Sequence, residues 1–169
     1  MLIQLYAHPF SSYCQKVLIA LYENDTPFEY RSLADASGKT VGELTSLWPF
    51  KLFPVLVDDD RTVVESSIII EHLQIDHPGP QRLIPDDAAA ALDVRFMDRF
   101  FDQYVMTPQG RIVFDRIPSE GERDPRGVAD ARKTLDTAYR WLDATMAGRE
   151  WAAGDGFSLA DCAAAPSLF

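Results

Sequence analysis

Apolar and polar positions alternate over residues 2–6, LIQLY, which predicts a strand. From 13 to 23, YCQKVLIALYE places Val17, Leu18, Leu21 and Tyr22 at helical spacing, with Gln15, Lys16 and Glu23 mostly on another face. PFEYRSL, from Pro27, predicts a second strand, and VGELTSLWP a short helix that ends before Pro49. FPVLVDD and TVVES predict two more strands, joined by the turn signal DDDR. SIIIEHLQIDH predicts a helix that opens at Ser66 or Ser67 and stops before Pro78. Strand, helix and strand in succession make a parallel crossover unit, whereas a tight turn pairs the last two strands antiparallel. A mixed sheet with helices around it follows.

The pattern then changes. HPGPQRLIPDD carries three prolines and a glycine and reads as a linker. After it every periodic segment is helical. AAALDVRFMDRFFDQYVMTPQGRIVFDRI predicts one long amphipathic helix that Pro108 kinks or interrupts. SEGERDPRG is a loop, VADARKTLDTAYRWLDATMAG a helix closed by Gly148, and SLADCAAAPSLF opens a final helix. The expected organisation is an α/β domain over 1–78, a linker over 79–87 and an all-α domain over 88–169.

Composition narrows the function. With 169 residues, 47% of them hydrophobic, the chain can bury a core of one or two domains. A net charge of -10 repels phosphate backbones and excludes nucleic acid as the expected partner. An anionic small ligand would need a local cation or backbone N–H groups to hold it. No apolar run approaches the roughly 20 residues of a membrane span, and the N-terminus lacks the pattern of a signal peptide. A soluble cytoplasmic protein without a membrane partner is expected. Cys14 and Cys162 make neither a disulfide framework nor a metal site. His8, His72 and His77 show no mutual spacing for metal binding or nucleophilic catalysis and read as structural or surface residues, so no metal is expected.

The stretch YAHPFSSYCQK, residues 6–16, sets two serines and a cysteine between the first strand and the first helix. A loop with a helix cap and a thiol-handling site both fit it. SSYC has the spacing of a CxxC motif whose first cysteine is replaced, so two-thiol disulfide chemistry is unsupported and Cys14 reads as a packed thiol.

Four features, in order along nearly the whole chain, resemble the glutathione transferase family: the first strand followed by SSYCQKVLIAL, then FPVL, then VVESSIIIEHL, and finally GFSLADCAAAP. The serine-type classes, such as zeta and theta and related bacterial groups, look most similar. The resemblance implies a thioredoxin-like α/β domain with a mixed four-stranded sheet, followed by an all-α domain. It implies glutathione as co-substrate, a hydrophobic electrophile as second substrate, a detoxifying role and a homodimer.

The resemblance also implies site residues. Ser11, at the mouth of the first helix, would donate its hydroxyl to the glutathione thiolate, with Ser12 and Tyr6 as alternatives. A helix N-terminus adds unpaired N–H groups and about half a positive charge. A free thiol has a pKa of about 8.5, and about 2 kcal/mol of thiolate stabilisation lowers it by about 1.5 units. Phe53–Pro54 would be cis and would turn the Phe53 backbone toward the glutathione peptide. Glu65 and Ser66 would hold the γ-glutamyl end, with Ser66 at a helix N-terminus suited to a carboxylate. Lys51 would meet the glycyl carboxylate. Phe10, Tyr104, Val105, Pro108 and Arg111 would line the electrophile pocket.

Three functions remain open on this reading: transfer of glutathione to an electrophile or reduction of a peroxide, non-catalytic binding or interaction, and glutathione-dependent isomerisation or thiol transfer. Relatives usually continue well past the SLADCAAAP position, so an incomplete helical domain is expected, exposing an apolar face.

Overall fold

The computed structural model describes residues 2–168. Phe169, the last residue of the helical domain expected to be incomplete, lies outside them. The chain divides into two compact units, Met1–Ala91 and Leu92–Phe169.

The first unit follows the predicted order. It runs β1 (Ile3–Ala7), α1 (Ser12–Glu23), β2 (Phe28–Ser32), α2 (Lys39–Leu47), β3 (Val55–Asp58), β4 (Arg61–Val64) and α3 (Ser66–Asp76). The sheet order is β2-β1-β3-β4. β1 and β2 are parallel across the α1 crossover, while β1–β3 and β3–β4 are antiparallel. This is the expected thioredoxin-like mixed sheet.

Strand alternation divides the core in two. Tyr6 and Val55 pair across β1 and β3 and pack with Leu33 and with Leu44 of α2. Leu5, Leu56 and Val63 point to the other face and are buried too, where α1 and α3 pack on each other. That double duty gives α1 a wide buried face. Lys16, expected on its polar side, is instead wholly buried, with Nζ donating to Ser67 Oγ of α3 at 2.9 Å. A long aliphatic stem packs like an apolar side chain provided its ammonium finds an acceptor.

The linker is ordered by its neighbours. Asn24 at the end of α1 accepts from the Gln81 N–H at 2.8 Å. Gln74 exchanges two hydrogen bonds with the Ile84 backbone. Asp87 then caps α4 (Ala88–Phe100), accepting from the Ala90 N–H.

The helical unit departs from prediction in two places. The long helix is interrupted before Pro108, by a π-helical segment, Phe101–Met106. α5 (Thr107–Phe114) then starts with the proline in its first turn. A proline lacks an N–H and crowds the carbonyl one turn back, and the wider π turn absorbs both effects. The Thr107 hydroxyl donates to the Asp102 carbonyl and helps seal that turn. α6 (Pro125–Met146) begins earlier than its periodicity indicates, because Asp124 caps it by accepting from the Gly127 N–H and Pro125 occupies the first turn. α7 (Leu159–Leu168) opens on a capping box: Asp161 accepts from both the N–H and the hydroxyl of Ser158. The other Asp161 oxygen takes the Ala152 N–H at 2.7 Å. Among the described residues, no helix is long and apolar enough to cross a membrane.

Candidate active site

Sheet register gathers the site. Val55, at the start of β3, pairs with Tyr6 near the end of β1 and with Val64 at the end of β4. The segment leaving β1, the one entering β3 and the one leaving β4 therefore emerge at the same edge of the sheet. They carry Ser11, Phe53–Pro54 and Glu65–Ser66.

Ser11 is the N-cap of α1, with extended φ -91 and ψ 119. Its N–H donates to the His8 carbonyl at 3.1 Å, and its carbonyl accepts the first helical bond from Gln15 at 2.9 Å. Oγ accepts from the Cys14 N–H at 3.3 Å. That bond uses a lone pair and leaves the hydroxyl as a donor, with the Cys14 sulfur as one acceptor within its reach. The first turn of α1 holds no acidic side chain, and so its positive end is not neutralised from within. Ser12, the first residue of the helix, is half-buried.

Cys14 is fully buried, and its sulfur accepts from the His8 N–H at 3.4 Å. Burial raises its pKa, against the opposing hydrogen bonds from Ser11 and His8. It stays a protonated, packed thiol.

Tyr6 faces α2. Its hydroxyl donates to Glu43 at 3.2 Å, in a group where Arg31 pairs with Glu43 and Glu29. Burial, and next the Glu43 charge, raise the Tyr6 pKa. Its hydroxyl is thus engaged on the α2 face.

The Phe53–Pro54 peptide bond is cis; Phe53 is partly exposed and Pro54 buried. His8, read as structural, stacks on Phe53 with ring centres 6.0 Å apart and meets Phe10 at 5.8 Å. The loop after β1 is thereby tied to the loop before β3. Phe10 itself is 92% exposed. Lys51 is exposed and left-handed at φ 57, its N–H closing a turn on the Trp48 carbonyl.

Glu65 carries the clearest backbone signal. It sits at φ 70 and ψ 118 as N-cap of α3, makes no side-chain capping bond and is exposed. A non-glycine residue held there costs about 1–3 kcal/mol and tends to mark a functional position. Nothing in the local sequence announces it. Ser66 and Ser67 follow as the first residues of α3, both buried.

The helical-unit candidates divide. Tyr104 is half exposed and lines a cavity of about 460 Å³ with Trp141 and Lys133. Val105 and Pro108 are buried. Arg111 pairs with Asp124 at 2.8 Å, bracing the start of α6.

The histidines also part from expectation. His72 and His77 meet at Asp58, their Nε2 atoms 2.9 and 2.6 Å from the same Oδ2. The hydrogen bond from His77 is the main influence holding the Asp58 carboxyl below its usual range, opposed by burial and aided by His72. The two histidines are five positions apart, one in the body of α3 and one at its C-cap, and Asp58 comes from the end of β3, so spacing alone cannot reveal the cluster.

The family model of the glutathione S-transferase N-terminal domain matches residues 5–81, and that of the C-terminal domain residues 120–169. The chain is 29% identical to glutathione S-transferase GstB of Escherichia coli strain K12, over 99% of this chain and 82% of that protein. Among solved structures it is similar to the glutathione S-transferase of Methylobacterium radiotolerans in complex with glutathione sulfonate, with a TM-score of 0.82 at 28% identity, covering 99% of this chain and 78% of that one. It is likewise similar to the glutathione-bound enzyme of Methylobacillus flagellatus, with a TM-score of 0.84 at 26% identity, over 98% and 81% of the two chains. Both family domains occur in their order on the shared fold, and the chain belongs to the glutathione transferase family.

Proposed function

We propose that the chain binds glutathione at the sheet edge described above and activates its thiolate for attack on a hydrophobic electrophile or a peroxide. The position of Ser11 carries the proposal: a hydroxyl with a proton to donate, at a helix N-terminus without acidic neighbours. About 2 kcal/mol of thiolate stabilisation there makes the anion dominant near neutrality. Tyr6 is the weaker candidate, since its hydroxyl donates to Glu43 on the α2 face. Ser12 lies one residue further into the helix and lacks the cap position.

The backbone of Phe53 would pair with the peptide of glutathione. The N-terminus of α3 at Ser66 would take the γ-glutamyl carboxylate, and Glu65 its ammonium. Lys51 would meet the glycyl carboxylate, supplying the local cation that an acidic protein needs for an anionic ligand. Phe10, exposed in the loop after β1, is the candidate of the α/β unit to meet the electrophile. The strained Glu65 supports this assignment, because the cost of its backbone is understandable if it aims a binding group. Glutathione bound to one relative of the same fold, and glutathione sulfonate bound to another, support it as well.

Calorimetric titration with glutathione, ultraviolet titration of the bound thiol and turnover of a small panel of halides, activated alkenes and peroxides test the reading. Binding with a thiol pKa depressed toward neutrality, and turnover of at least one class, is the expected result. An undepressed thiol would leave a non-catalytic binding protein. We also propose a homodimer, with α3 contributing its exposed Ile68 and Ile75. Light scattering at micromolar concentration tests it, and a monomeric mass counts against it.

A further inference from the structure

The C-terminal end of α3 carries a cluster that thiolate chemistry does not use. Ligand atoms of Asp58, His72 and His77, one from each, lie within 4.8 Å of one another, and both Nε2 atoms reach Asp58 Oδ2. His72 is held from behind as well, with Nδ1 2.7 Å from Asp76 Oδ2. We propose that Asp58, His72 and His77 form a binding site for a single first-row divalent transition ion of the zinc type, which clips the β3–β4 hairpin to the end of α3.

The donor set fits that class of ion. Two imidazoles and one carboxylate suit zinc, nickel or copper, whereas magnesium and calcium prefer oxygen ligands throughout. Ion–ligand bonds of about 2.0–2.1 Å in a tetrahedron place neighbouring donors about 3.3 Å apart. Each aspartate–histidine pair must therefore open by less than about 1 Å. The residues divide the work of adjusting. His72 is almost fully buried in the body of α3, while His77 is the C-cap residue and a third exposed, so it can move.

Asp76 supplies the outer carboxylate that zinc-bound histidines usually have. A hydrogen bond from Nδ1 to Asp76 leaves the Nε2 lone pair directed at the ion. Arg61 lies 3.5 Å from the same Asp76 oxygen and opposes a cation, but it is largely exposed and touches no donor atom of the site. Ser66 stands about 9 Å from His72 along the helix axis, at about 1.5 Å per residue, so the ion would not reach the bound thiol. Its role is structural: three ligands from two elements restrain the far end of the helix whose near end carries Ser66.

The test uses the full chain, stripped of metal by a chelator and then titrated with zinc chloride by calorimetry. Saturable uptake of a single ion per chain at micromolar or lower concentration, with a rise in melting temperature, is expected. Substituting cobalt should give the visible bands of a four- or five-coordinate site. His77→Ala and Asp58→Asn should each weaken uptake by at least about 100-fold, and Asp76→Asn, which removes no ligand, by about 10- to 100-fold. The thiol pKa of bound glutathione should be unchanged in Asp76→Asn, which separates this site from the proposed glutathione site. Absence of saturable uptake at millimolar zinc overturns the proposal and leaves a purely hydrogen-bonded cluster. Uptake undiminished in both His77→Ala and Asp76→Asn overturns it equally, by placing the ion elsewhere.

Discussion

Replacing Ser11 separates its two roles, capping the helix and donating to the thiolate. Ser11→Ala removes both. The cap costs about 0.5–2 kcal/mol in general. Its hydrogen bond here is 3.3 Å long, just beyond the usual range, which points to about 1 kcal/mol or less. For a chain of this size that is a fall of about 2–4 °C in melting temperature. Loss of the donor should raise the bound thiol pKa by about 1.5 units. Turnover efficiency should fall by about 2–4 kcal/mol of transition-state stabilisation, or roughly 30- to 1000-fold. Ser11→Asp should behave differently. Aspartate caps as well as serine and suits the helix dipole, so the melting temperature should hold. A carboxylate cannot donate at neutral pH and repels a thiolate, so activity should drop at least as far as in Ser11→Ala. The assay pairs thermal melts with ultraviolet titration of bound glutathione and kcat/KM on the best electrophile. Near-native activity in Ser11→Asp refutes the reasoning. So does an unchanged thiol pKa in Ser11→Ala, above all if Ser12→Ala raises it.

Glu65→Ala and Ser66→Ala should weaken glutathione binding by calorimetry and leave the thiol pKa in place; unchanged dissociation constants in both would remove the assignment. Glu65→Gly should lose the same affinity yet melt above Glu65→Ala, by up to about 1 kcal/mol, because glycine adopts φ 70 without a Cβ; a lower melt would show that the position is not strained. Ser67→Ala should destabilise by about 1–3 kcal/mol, as it deprives the buried Lys16 ammonium of an acceptor, whereas Lys16→Met should cost less; denaturant titrations giving the opposite order would contradict this. The hydrogen bond from Arg31 holds the Glu43 carboxyl below its ordinary range. A folded pKa below the unfolded one gives stability that is present above about pH 4.3 and lost as pH falls through the folded value. Glu43→Gln should therefore melt with a shallower dependence on pH below about 4.5, and curves of equal slope would exclude the linkage.

Element order was legible because it rests on local causes. Alternation in LIQLY, the DDDR turn and the prolines after α3 each act within a few residues. Capping chemistry was legible at Ser158 and Asp161 for the same reason. At Asp124–Pro125 the polar loop composition conceals a cap and a first-turn proline. The bulge ahead of Pro108 was half legible: proline announces a break, but whether the chain kinks or widens depends on what the helix packs against.

The sequence by itself determined the order of strands and helices, the mixed sheet, the serine at the mouth of α1 and, through family resemblance, the cis bond at Phe53–Pro54. Tertiary structure decided the rest, wherever two distant segments compete for one group. Lys16 is buried because α1 packs on the sheet and α3 together, and Ser67 happens to face it. Tyr6 donates to Glu43 because α2 covers that face of β1. Glu65 takes a positive φ where β4 ends and α3 begins. Asp58, His72 and His77 meet only when the end of β3 comes to lie beside the last turns of α3. Each of these is a contact between residues whose local sequence is indifferent to it, so periodicity and turn chemistry, which act over one or two turns, carry no trace of it.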